Sequence, residues 1–168
     1  MNVFVDTSIV NNLLDLEENN VSNLSAQDAK YLKLILKGYV NPNKVTLFVN
    51  PSVKQQINNT EDERRKGKLL EKFNECHFTE FNLTIFPFHF PAKFMSDNEA
   101  AFIDQLCAKH PALLKDKKII GDVAFNDNDN IDVLLTTDKD LAHQVSQVGK
   151  VRFRLPKELW EDLTNSHS

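Results

Sequence analysis

Three short, mainly apolar runs, Val3–Val5, Val45–Val49 and Val133–Leu135, lie too far apart in the chain for hairpins to join them. The stretches between them carry apolar residues at helical spacing. Buried strands alternating with helices fold as βαβ units, whose crossovers cover both faces of a mainly parallel sheet. The expected fold is therefore α/β: a single-domain three-layer α/β/α sandwich spanning residues 1–168. That length suffices for a core without disulfide or metal staples.

The helices are read from their punctuation. Ile9–Leu16 begins the first. Ser25-Ala26-Gln27-Asp28 resembles a capping box opening the second, with Ala29, Leu32, Leu34, Ile35 and Leu36 inward and Gly38 and Pro42 closing it. Asn50-Pro51-Ser52 starts a third. Thr60 to Glu75 reads as a charged helix with Leu69, Leu70 and Phe73 inward. Ser96–Glu99 caps a helix to Lys109, with Ala101, Phe102, Ile103 and Leu106 as its apolar positions. Asp116–Phe125, Asp140–Val148 and Pro156–Leu163 are further helices, and Val151–Phe153 is an expected edge strand.

Several function classes find no support. No apolar run approaches the roughly 20 residues that span a bilayer, and no basic-then-apolar leader opens the chain. A cytoplasmic protein without a membrane partner is expected. Cys76 and Cys107 stand alone, so neither a redox motif nor a zinc site is indicated. The histidines show no ligand spacing, and 4 glycines do not build a phosphate loop. The net charge of −4 does not advertise a nucleic-acid partner, although an acidic metal site within a locally basic groove would hide in that total.

What remains is acidic. Asp6 follows the first strand, and Asp138, then Asp140, follow Val133–Leu135 in "VLLTTDKDL". Helix capping, with Thr7 and Ser8 as the expected caps, accounts for the first of these. In a parallel sheet, however, strand tips share one edge, so Asp6 and Asp138 converge there despite their separation in sequence. Asp116 opens "DKKIIGDVAF", where Ile119, Ile120 and Val123 hold a helix down and leave the acid at its N-terminal end. Crowded carboxylates need a cation, and oxygen-only ligation suits Mg²⁺ or Mn²⁺. Such ions activate water for phosphodiester cleavage.

The segments "VFVDTSIVNNLL", "VTLFVNPSVKQQI", "DKKIIGDVA" and "DVLLTTDKDL" together resemble the PIN domain family over about residues 2 to 145. That family consists of metal-dependent ribonucleases, many of them toxins of toxin–antitoxin pairs. The resemblance implies an endoribonuclease with metal ligands at Asp6, Asp116 and Asp138 and an auxiliary acid at Asp140. Thr136 or Ser8 would orient the site, and Asp122 is the rival to Asp116. It also implies an RNA substrate, an antitoxin partner and a homodimer. One departure stands out. Where the family carries a second acid after the second strand, this chain has Gln56, which brings no charge; Glu61 or Glu99 is the available substitute. A PIN-like module that binds RNA or protein without cutting is therefore the alternative. A receiver-like α/β domain is a third reading, but it lacks paired acids after the first strand and a lysine on a late strand.

The remaining features have ordinary readings beside functional ones. "ERRKGK" (Glu63–Lys68) is a solvated helix face or a phosphate-gripping patch. Arg152 and Arg154 guard a sheet edge or touch RNA. "FTEFNLTIFPFHF" packs under a connection or stacks bases, and "NDNDN" is a polar turn without the spacing of a calcium loop.

Overall fold

The computed structural model describes residues 1–18, 26–49, 51–76, 78–80, 97–124, 131–145, 147–148 and 151–165. Residues 81–90 of the aromatic stretch, the NDNDN segment and the Ser25 cap lie outside that set. All three apolar runs are strands. β1 (Asn2–Val5), β2 (Thr46–Val49), β3 (Thr79–Glu80), β4 (Val133–Leu135), β5 (Gln147–Val148) and β6 (Val151–Arg154) form one sheet of order β3-β2-β1-β4-β6-β5. Every neighbouring pair is parallel except β5 with β6.

Around it lie α1 (Thr7–Glu17), α2 (Ala26–Ile35), α3 (Pro51–Asn58), α4 (Glu63–Glu75), α5 (Asp97–Lys109), α6 (Lys117–Ala124), α7 (Lys139–Val145) and α8 (Pro156–Asn165). A π turn at Leu36–Val40 extends α2, and a 3₁₀ turn at Pro111–Asp116 precedes α6. Strand alternation divides these helices into two layers. Val3, Val5, Leu47, Val49, Val133 and Leu135 pack with α1–α4 and α8. Phe4, Leu134, Val151 and Phe153 point the other way, into a core with Ile103, Leu113, Ile120 and Leu141. The α/β layering with a mainly parallel sheet is thus as expected from the sequence.

Four local expectations are corrected. Val151–Arg154 is an interior strand, because Gln147 and Val148 fold back antiparallel beside it and become the edge; α7 accordingly stops at Val145. Arg152 and Arg154 both reach Asp162 of α8, at 3.2 and 2.9 Å. Gly38 does not end its helix but lies within the π turn, where Asn41 N–H bonds Leu36 O. There Tyr39 meets Trp160 of α8 edge-to-face, and a Cβ on Gly38 would touch the same indole. Phe102 is 48% exposed, since Ile103 and Cys107, at i and i+4, form the buried line of α5.

α1 and α4 are joined by charge. Arg65 pairs with the buried Asp15 at 3.1 Å, Lys68 with Glu18, and the buried Lys72 with both Glu17 and Glu75. Burial works to lower the Lys72 pKa, but the two carboxylates outweigh it and the net shift is upward. This interaction therefore persists through neutral pH and is lost as pH rises past the ordinary lysine range.

Phe4 is 1% exposed on the central strand and anchors the second core. Phe4→Ala is expected to lower unfolding free energy by about 3–5 kcal/mol, measured by urea denaturation with the slope unchanged.

Candidate functional site

The register aligns the strand tips. Val5 sits opposite Leu135, and Leu135 opposite Arg154. β1 and β4 are neighbours, but the connection leaving β1 leads to β2 on one side and the one leaving β4 leads to β6 on the other, so the two depart in opposite directions from the carboxyl edge. That crevice is where open α/β sheets place their ligands. Asp6 and Thr136, one residue past each tip, meet there.

Asp6 is the N-cap of α1, with an extended backbone, and its Oδ1 accepts from Ile9 N–H at 3.2 Å. The cap is therefore Asp6 itself rather than Thr7 or Ser8, whose hydroxyls are used elsewhere. Ser8 donates to Asp6 Oδ1 at 2.5 Å and accepts from Thr137 N–H at 3.1 Å. Thr7 donates to the side-chain carbonyl of Gln56 on α3. Asp6 Oδ2 accepts from the fully buried Thr136 hydroxyl at 2.5 Å. The same Thr136 oxygen accepts from Asp138 N–H at 3.0 Å, so one hydroxyl joins both acidic positions.

Asp138 performs the same local task one strand over. Its Oδ1 accepts from the N–H groups of Asp140 and Leu141, at 3.0 and 3.1 Å, and opens α7. Asp140 is exposed in the first turn of that helix. Asp116 ends the 3₁₀ turn immediately before α6, and that turn packs against α7. Asp122 lies in the last turn of α6, and Glu99 is the third residue of α5. The side chains of Asp116, Asp122 and Glu99 lie outside the described residues. Glu61 is exposed in the turn before α4.

Only 5% of Asp6 is exposed. Burial pushes its carboxyl pKa up, and the hydrogen bonds from Ser8, Thr136 and the Ile9 and Ser8 N–H groups offset this in part. Each of those donors is neutral. The lone-pair donors that the side chains bring to this edge are carboxylate, hydroxyl and amide oxygens, a set suited to a hard divalent cation and not to zinc or copper. Among the described residues, no group of three or more His, Cys, Asp or Glu side chains could hold a metal ion.

Two members of the network were not singled out by sequence reasoning. Asn12 is 7% exposed, and its amide donates to Thr137 Oγ1 at 2.5 Å; Thr137 Oγ1 in turn lies 3.0 Å from Ser8 Oγ. Asn12 had a signal, because it falls at i+3 from Ile9 and i−4 from Leu16, on the buried stripe of α1. The basic run on α4 is largely occupied: Lys66 pairs with Glu63, Lys68 with Glu18, and Arg65 with Asp15 and Asn11. A groove lined by Glu18, Asp62, Arg64, Arg65 and Lys68 runs beside it.

No family model, curated protein or solved structure matches this chain. Among the described residues, no helix is long and apolar enough to cross a membrane.

Because the folded-state pKa of Asp6 lies above its ordinary value of 3.8, protonated Asp6 favours the fold, and that contribution fades as pH rises through the shifted value. Asp6→Asn keeps a cap acceptor and removes the titration. In chelator, the difference in urea midpoint between Asp6→Asn and wild type should shift in favour of the variant from pH 3.5 to pH 7. A pH-independent difference would contradict the assignment.

Proposed function

We propose that the chain is a PIN-like, metal-dependent endoribonuclease that hydrolyses RNA phosphodiester bonds. The observation that carries this reading is the buried Asp6 carboxylate, set among neutral hydroxyl donors at the carboxyl edge between β1 and β4. An ionised carboxylate is costly to bury without a compensating charge, and a bound cation supplies one. Asp6 and Asp138 would hold Mg²⁺ or Mn²⁺, with Asp116 as the third acid and Asp122 as its rival. When bound, such an ion polarises the phosphate and acidifies an attacking water.

The chain's own groups do the positioning. Thr136 and Ser8 fix the two oxygens of Asp6, and the α7 cap fixes Oδ1 of Asp138. Asp140 stands at the rim as an auxiliary acid. The order of the acids, strand tip, helix start and strand tip, is what the PIN resemblance implied. The toxin role, a shielding antitoxin and a homodimer belong to the same proposal on that resemblance.

Gln56 favours a second reading, a PIN-like module that binds RNA or protein with impaired cleavage. Its amide carbonyl accepts from Thr7, the neighbour of Asp6, so it stands beside the acids without adding charge.

Mn²⁺ at about 100-fold over its Kd is expected to stabilise wild type by about 2.7 kcal/mol, read as a thermal shift, and Asp6→Asn should abolish it. With Mg²⁺ or Mn²⁺, wild type should cut a broad RNA panel, and Asp6→Asn or Asp138→Asn should slow it by about 10²-fold. Intact RNA in every arm would sink the nuclease reading. Gln56→Glu, which keeps an acceptor for Thr7, should tighten Mn²⁺ binding; cleavage appearing only in that variant would select the impaired module.

A further inference from the structure

We propose that Asn12 is a positioning residue that sets the Asp6 carboxylate through a directed chain of hydroxyls. This rests on the reading of Asp6 as a cation ligand. The direction of the chain follows from counting protons. Ser8 has one hydroxyl proton and donates it to Asp6 Oδ1 at 2.5 Å. Its oxygen can then only accept, and it does so from Thr137 N–H at 3.1 Å and from the Thr137 hydroxyl at 3.0 Å. Thr137 Oγ1, its own proton spent on Ser8, must accept in turn, and the Asn12 amide donates to it at 2.5 Å. Asn12 is buried on α1 and lies four residues beyond Ser8, one turn along the same helix face.

Two physical effects pass along this chain. Each donor polarises the next, so a Ser8 oxygen that receives two hydrogen bonds is a stronger donor to Asp6. Geometry passes as well. Asn12 holds the Thr137 side chain, Thr137 holds Ser8, and Ser8 together with Ile9 N–H fixes Oδ1. That leaves Oδ2, which accepts from the Thr136 hydroxyl, as the oxygen presented for ligation. Outer groups of this kind orient ligating carboxylates and tune their affinity.

The test is Mn²⁺ binding to the full chain, followed by calorimetry and by the electron paramagnetic resonance of free Mn²⁺, alongside thermal unfolding in chelator. Asn12→Leu is expected to weaken Mn²⁺ binding about tenfold, and Thr137→Val by a similar factor. Their combination should weaken it no further than the larger single change, since both break one chain. Asn12→Gln, which retains an amide donor, should recover part of the affinity. Thr137→Val, at a half-buried position, and Asn12→Gln keep the inference open to test if Asn12→Leu does not fold. If wild type binds Mn²⁺ and Asp6→Asn does not, while Asn12→Leu and Thr137→Val bind as wild type, the role of Asn12 is overturned and the site survives. Multiplicative losses in the double variant overturn it equally. If wild type itself binds no Mn²⁺ at millimolar concentration, the site reading falls, and this inference with it.

Discussion

The bond between the Thr136 hydroxyl and the Asp6 carboxylate ties together the ends of the two central strands. Parallel pairing of β1 with β4 fixes their register, but backbone bonds stop near Leu135, and beyond it the chains would diverge into separate helices. The side-chain bonds carry the alignment two residues further. Thr136 bonds Asp6, Thr137 bonds Ser8, and Asp138 N–H bonds Thr136. A polar seam thus continues the sheet past its last strand residue. It places the Asp6 carboxylate and the Asp138 N–H on one hydroxyl, that of Thr136.

Such a seam is expensive unless it is satisfied, because a buried carboxylate loses its hydration. The chain spends several short-range donors on Asp6 and still leaves its pKa raised. A structural cap alone does not need this depth: Asp62 caps α4 from an exposed position with two backbone donors, at 2.9 and 3.0 Å. The two caps are of one chemical type, yet one is buried at the crevice and the other stands in solvent.

Much of this was legible in the residues. Apolar runs announce buried parallel strands, and an acid just past each of two such runs, Asp6 and Asp138, announces a shared edge. The β5–β6 hairpin was not legible, because Gln147 and Val148 continue the apparent helical pattern of the preceding residues and tertiary pairing decides between the two. Lys72 was hidden for a different reason. A lysine among charged residues reads as solvated, and its pairing with Glu17 of a neighbouring helix, together with Glu75, makes its burial tolerable. Thr7 and Ser8 read as caps because their type is right; the backbone turns one residue earlier and frees them for Gln56 and Asp6.

The pairing of β1 with β4 also has a temporal side. Asp6 and Thr136 are 130 residues apart, and the strand that enters the sheet first stands at its centre. During synthesis β1 can find β2, but its second edge stays open until β4 has left the ribosome. Loop closure over that span is slow compared with local helix formation. The acidic crevice therefore forms late, and a nascent chain carries Asp6 through the synthesis of the 130 residues that separate it from the hydroxyl that defines its site.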